Sequence, residues 1–347
     1  MKINSKFKIQ NPKLFFRLNP AIWLIIKFTI ALSIVGWLIS GNYHSFIKVI
    51  KNVQLSWLIS GFIFYGIAQG AAALRWYLLL KIQGIRVSFF ETLSLTMQGV
   101  FFSLVIPGGA IGGDLIRTGF LVSRTPKGNR LAATSTVFMD RFFGMIAQFS
   151  ITIVFAFFFI PQIKSMASAP QLTISLILIV SVLGLLAAFG LCLHRYLEKF
   201  PVCSYLIKIS NRFSKGIIAE SMGIMDVYNA SKPTIIKCIV ISILFQVNMS
   251  FILFLIAQGL NCHDISVLPL ILSIAMGNTA GLLPITPGGL GTRDAVVKAT
   301  LTAGGFSQGE AIAIPLIFSV IMVSVYLLGG FFFLFHKRSK KHYNIES

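Results

Sequence analysis

Two stretches decide how this chain is read: Pro107-Gly108-Gly109-Ala110-Ile111-Gly112-Gly113-Asp114 and Pro287-Gly288-Gly289-Leu290-Gly291-Thr292-Arg293-Asp294. Each runs from Pro-Gly-Gly to an Asp seven residues after the proline, and the two copies lie 180 positions apart. Both sit within apolar sequence. Inside a bilayer a non-helical turn is tolerated only where it is buried in protein or lines a wet cavity. Glycine reaches the backbone angles such a turn needs and lets chains approach closely. A turn that opens a helix also aims free N–H groups forward, which suits an anion. Tight turning alone would account for either copy. Two copies at matched positions, each leading to an acid, favour a site. Neither is a P-loop, because no Gly-Lys-Ser/Thr follows.

Composition sets the surroundings. Of 347 residues, 56% are hydrophobic and 12% charged, about half the charged share of a soluble protein. The chain reads as an all-α polytopic membrane protein. Its formal charge of +20 would suggest nucleic acid in a soluble protein. Here the basic residues fall between apolar segments, as the positive-inside rule expects, so no nucleic-acid role is expected. Cys192, Cys203, Cys238 and Cys262 have no ligand spacing and the five histidines are scattered. Neither a metal nor a cofactor is expected.

Residues 1–19 read as a basic cytoplasmic tail, 20–336 as one membrane domain and 337–347 as a second basic tail. A span needs about 20 apolar residues. Segments 20–40, 55–80, 131–160, 171–193, 235–258 and 309–335 meet that length. Residues 41–54 and 161–170 read as loops. Residues 194–234 form a basic cytoplasmic segment suited to an interfacial amphipathic helix. Two further segments, 88–123 and 266–303, are apolar but broken by polar residues and by the glycine stretches. If each enters and leaves on one side, six full spans remain and both termini are cytoplasmic. The outside loops then carry only Lys48, Lys51 and Lys164, which is the expected charge asymmetry. The expected fold is six spans plus two re-entrant helical hairpins. Units 55–160 and 235–335 form an inverted-topology repeat, an arrangement common in secondary transporters.

Ionisable groups at membrane depth cost about 2.5–3.5 kcal/mol each, so they pair or line a path. The neighbours in sequence are Asp114 with Arg117, Asp140 with Arg141, and Arg293 with Asp294. Ion pairing that locks the helices and direct substrate contact both remain open for Asp140 and Arg141. Arg117 and Arg293 lie beside the turns, and a guanidinium fork suits phosphate. The expected substrate-binding set is Arg117, Arg293, Asp114, Asp294, Asp140, Arg141, Gly108, Gly109, Gly112, Gly113, Gly288, Gly289 and Gly291. No catalytic residue is expected. Glu91 and Lys298 are weaker candidates. Arg75 reads as snorkelling to inner headgroups. Trp23, Trp37, Trp57 and Trp76 read as interfacial anchors.

With these residues in view, the chain resembles the lysylphosphatidylglycerol synthase/flippase transmembrane-domain family, the flippase-like, UPF0104-type membrane proteins. The motifs that carry the likeness are Arg75-Trp76, Pro107-Gly108-Gly109 through Gly112-Gly113-Asp114 to Arg117, and Asp140-Arg141. To these is added Leu283-Pro284 through Pro287-Gly288-Gly289-Leu290-Gly291 to Arg293-Asp294. Family members often carry Glu where this chain has Asp294. In the best-known members the membrane domain is fused to a soluble aminoacyl-transferase domain. The present chain ends twelve residues after its last expected span, so the synthase activity is not expected here.

The resemblance implies a lipid transporter, or flippase, moving a phospholipid or a polyprenyl-phosphate-linked lipid between leaflets of a bacterial plasma (inner) membrane. The expected partners are membrane lipids with anionic or polyprenyl-phosphate headgroups, together with a further copy of the chain or a separate lipid-modifying enzyme. Two alternatives are an intramembrane glycosyltransferase-like enzyme on lipid-linked substrates and a non-catalytic subunit of an envelope-lipid pathway. The absence of an Asp-x-Asp pair and of a nucleotide-binding motif weighs against an enzyme and against direct ATP coupling.

Overall fold

The computed structural model describes residues 43–51, 53–106, 109–192, 227–228, 230–262, 266–282 and 286–335, with positions 29, 33, 36 and 40. Both tails, almost all of the expected span 20–40 and most of the basic segment 194–234 lie outside the described residues. So do Pro107 and Gly108, and the Leu283-Pro284 pair.

Among the described residues eleven α-helices follow in order: α1 (Tyr43–Ile50), α2 (Leu55–Ile82), α3 (Phe89–Val105), α4 (Ala110–Arg124), α5 (Arg130–Phe158), α6 (Ile160–Ser165), α7 (Ser168–Cys192), α8 (Lys232–Gly259), α9 (Val267–Gly281), α10 (Thr292–Ala303) and α11 (Gln308–Phe335). No strand occurs among the described residues. Five helices among the described residues, α2, α5, α7, α8 and α11, are long and apolar enough to cross a bilayer. They coincide with five of the six expected spans.

Two loop assignments need correction. Within 41–54 the chain forms α1, and within 161–170 it forms α6 and the first turn of α7. Pro161 lies in the first turn of α6, where a missing N–H costs nothing. Prolines that read as loop markers here start helices.

Local signals place the helix ends. Ser88 caps α3, its hydroxyl accepting from the Glu91 N–H at 3.2 Å. Pro233 sits in the first turn of α8. The returning helices α4 and α10 both start from glycine N-caps with positive φ, Gly109 at 58° and Gly291 at 81°. An L-residue is disfavoured in such a conformation. At the second start, the Gly291 N–H donates to Asp294 Oδ2 at 2.9 Å, closing the first turn as a capping box does.

The glycine stretches thus join two helix pairs, α3 with α4 and α9 with α10, and each pair packs closely on itself. The packing between units is reciprocal. The first helices of the two units, α2 and α8, pack together. Helix α3 of the first pair lies on α11, and α9 of the second pair lies on α5. The largest cluster of buried side chains fills the space between α2, α8, α11 and the second pair, with Ile252, Leu253, Ile256, Leu301 and Ile314 at its centre. On the outside, α7 turns Leu172, Leu176, Ile179 and Leu183 away from the protein. An apolar outer face of this kind suits contact with acyl chains.

Candidate functional site

The two glycine stretches meet inside the bundle. A Cβ added at Gly109 would come within 3.7 Å of the Thr286 carbonyl oxygen and 3.9 Å of the Gly288 nitrogen. Gly288 and Gly289 also have positive φ, 58° and 76°. Beside this junction lies a cavity of about 220 Å³. Gly109, Gly288 and Gly289 edge it, and four arginines line it: Arg75, Arg117, Arg141 and Arg293.

The arginines belong to a chain of ion pairs. Arg75 Nε donates to Asp140 Oδ1 at 2.7 Å. Arg117 Nη2 donates to Asp140 Oδ2 at 3.1 Å and lies 3.3 Å from Asp114 Oδ1. Arg141 grips Asp114 with two bonds, Nε to Oδ2 at 2.7 Å and Nη2 to Oδ1 at 3.0 Å. Planar forks on carboxylates are the strong form of this contact. The expected pairing of Asp114 with Arg117 is present. Asp140 and Arg141, left open between ion pairing across helices and substrate contact, both make ion pairs between helices: they follow each other in sequence but turn apart on α5, so Arg141 reaches α4 while Asp140 reaches α2 and α4.

Arg75 and Trp76 are corrected as well. Arg75 is buried against Asp140 and also donates to Ser242 Oγ at 2.9 Å. Trp76 is wholly buried, its indole N–H donating to Thr136 Oγ1 at 3.1 Å. The Arg117 guanidinium lies 4.3 Å from the centre of its ring, a cation–π contact. Both side chains are buried within the protein.

The second half is arranged differently. Asp294 is fully buried and does not face the cavity. Its Oδ1 accepts from Arg293 and from Ser319 Oγ at 2.7 Å. Arg293 also bonds Ser319 and reaches Met322 Sδ at 3.0 Å. Its guanidinium lies 4.8 Å from the centre of the Phe318 ring. Gly113 serves helix packing, Gly291 the helix start, and Gly112 is buried in the first turn of α4; none of the three lines the cavity. Gly108 lies outside the described residues. Of the weaker candidates, Glu91 pairs with Arg124, and Lys298 lines a separate groove against α7. Among the described residues no three His, Cys, Asp or Glu side chains gather as a metal site requires.

The cavity wall also holds polar groups that the motif reading passed over. Gln148 Nε2 donates to Thr279 Oγ1 at 2.9 Å, and Gln246 Nε2 to Gln148 Oε1 at 3.3 Å. Their signal in the sequence was an amide inside a long, mostly apolar span.

Residues 24–330 match the family model described as the lysylphosphatidylglycerol synthase TM region. The chain belongs to this family. Among relatives, a UPF0104 membrane protein of Methanocaldococcus jannaschii is 25% identical over 313 residues, covering 85% of this chain and 88% of the relative. Another, from Pyrococcus horikoshii, is 21% identical over 336 residues, covering 91% and 96%. As a member of the lysylphosphatidylglycerol synthase TM-region family with five long apolar helices, the chain is a multi-pass membrane protein.

Proposed function

We propose that this protein moves a phosphate-bearing lipid between the leaflets of the plasma membrane. The headgroup passes through the arginine-lined cavity while the acyl chains stay in the bilayer. The observation that carries the reading is the cavity itself: four arginines face one space at the meeting point of two glycine turns, inside an apolar bundle. Buried charge in a membrane protein is expensive and marks a path or a site. Closely packed glycine turns keep bulky side chains out of that path.

In this reading α3–α4 and α9–α10 are re-entrant hairpins entering from opposite faces. Their arms of 17, 15, 15 and 12 residues are about 26, 22, 22 and 18 Å long at 1.5 Å per residue. Each falls short of a hydrocarbon core of about 30 Å, so each hairpin turns back before the far face. The reciprocal packing of the two units supports their equivalence by a pseudo-twofold axis. Rocking one hairpin against the other then opens the cavity alternately to each side. The protein acts as a transporter and not as an enzyme, with membrane lipids as its partners.

The test is lipid movement in proteoliposomes, read as dithionite access to a fluorescent phospholipid. Arg117→Gln is the variant of choice, because Asp140 keeps Arg75 and Asp114 keeps Arg141. A hydrogen bond to a charged group contributes about 1.5–3 kcal/mol, which is roughly 10- to 100-fold in rate. Movement should fall by that factor in variant protein that is still folded at the assay temperature, as its thermal midpoint shows. Wild-type movement in the variant contradicts the proposal.

A further inference from the structure

A larger space lies apart from the arginine-lined cavity. It is a groove of about 730 Å³ between α10 and the start of α7, and the two spaces share no lining residue. Its walls are mostly small and apolar, with Ala169 and Pro170 on α7 and Ala295, Ala299 and Ala303 on α10. Side chains this small leave the space unfilled. Its volume is that of a small-molecule site, about 300–1,000 Å³.

Lys298 lies in this apolar wall. It is half-buried, and no carboxylate lines the groove. Among the described residues no hydrogen bond or ion pair meets its ammonium. Arg75, Arg117, Arg141 and Arg293 each have a carboxylate, so Lys298 differs from them in lacking one. A cation in a membrane helix pairs or lines a path. The depth of the groove follows from its neighbours. Helix α7 begins at Ser168 and α11 at Gln308, and residues from both starts line it. It therefore opens where two spans enter the bilayer. Lys298 is five residues short of the end of α10 at Ala303, about 7.5 Å at 1.5 Å per residue. A lysine stem spans that distance and brings the ammonium to headgroup depth.

We infer that this groove holds an anionic phospholipid, its phosphate on Lys298 and an acyl chain along the alanines of α10 and Ile174 of α7. Free phosphate would meet the charge but leave the apolar walls against water. An uncharged occupant would leave the ammonium unmatched. A zwitterionic lipid carries its own cation, which competes with Lys298 for the phosphate. The site requires only a bilayer around α7 and α10, and it stands whether or not the central cavity moves lipid. A lipid held there braces α10, the helix that carries Arg293, against α7.

The test places the full-length chain in phosphatidylcholine vesicles containing a phosphatidylglycerol with a diazirine on its acyl chain. Photolysis and peptide mapping give the place of binding, and titration of the probe gives its half-saturation. Labels should fall on residues 165–174 and 295–303, should saturate, and should be displaced by unlabelled phosphatidylglycerol against the phosphatidylcholine host. Labels that never saturate, like those on the outer face of α7 at Leu176 and Leu183, are ordinary boundary lipid and overturn the inference. Displacement by inorganic phosphate overturns the assignment to a lipid.

Lys298→Gln should raise the half-saturating probe fraction about tenfold, the contribution of a hydrogen bond to a charged group. Because Lys298 has no protein partner, the change strands no charge and the fold should hold. Lys298→Arg should stay near wild type. Ala299→Leu fills the groove without altering charge and should also weaken labelling. Wild-type labelling in Lys298→Gln, or a loss in Lys298→Arg equal to that in Lys298→Gln, overturns the role of the ammonium. Wild-type labelling in Ala299→Leu overturns the place of the chain. None of these readouts requires lipid to cross the membrane, so a failure of the transport reading leaves them intact.

Discussion

Asp140 sits where α2, α4 and α5 converge, and it ties them by accepting from Arg75 and Arg117 on its two oxygens. It is 3% exposed. Removing one member of a buried pair leaves the others charged in a medium that cannot solvate them, which costs about 3–5 kcal/mol. Asp140→Asn keeps the shape and removes the charge, so it should lower the thermal midpoint in detergent strongly. A midpoint matching wild type would show that Arg75 and Arg117 find other anions. Arg293→Ala should also destabilise, since it strands the fully buried Asp294. Arg117 is the better probe of function because its partners stay paired.

At this scale the sequence was only partly legible. Asp114, Arg117, Asp140 and Arg141 stood out as charges in apolar surroundings, and all four face the cavity. Who pairs with whom was not legible, because the partner of a helical residue is set by helix azimuth and by a distant segment. Arg75 and Trp76 looked interfacial for the same reason: their place near the end of a span conceals that α2 turns them toward α4 and α5.

The elements were more legible, because a membrane span carries a strong signal of length and polarity. Five expected spans coincide with helices. The misses were the short helices α1 and α6, whose eight and six residues are too few for composition to distinguish from a loop. The glycines offer a sharper test of element packing. In the first pair, Gly99 meets Arg117 and the Gly113 carbonyl. In the second, Gly277 meets Val297 and the Arg293 carbonyl. Arg293 and Val297 lie 180 positions after Gly113 and Arg117, so the two crossings use matched positions on the returning helices. A Cβ on Gly113 would overlap the Gly99 carbonyl oxygen. Gly113→Ala should therefore push α3 and α4 apart and cost on the order of 1–3 kcal/mol, the usual range for overpacking. Gly66 on α2 has nothing within 4 Å of an added Cβ. Gly66→Ala should be neutral or stabilising by up to about 1 kcal/mol through helix propensity. Equal thermal midpoints for the two variants would contradict the close crossing.

For the whole molecule, the reciprocal packing of α3 on α11 and α9 on α5 describes two halves built alike. The ion pairs describe two halves used differently. Asp114 is 20% exposed at the cavity, whereas Asp294 is sealed behind Arg293. The first pair presents an exchangeable charge, and the second holds its charge inside a capped helix start. Under the proposed transport function, that division gives headgroup exchange to Asp114, Arg117 and Arg141 and leaves Arg293 as a fixed positive wall. The most direct test is where a headgroup actually lies. A phospholipid bearing a diazirine on its headgroup should be photolysed with the protein in vesicles and its adducts mapped by mass spectrometry. The account predicts labels on cavity-lining segments of α2, α4 and α8 around Gln69, Asp114 and Gln246, reduced by Arg117→Gln. Labels confined to the outer face of α7, with none in the cavity, would contradict it.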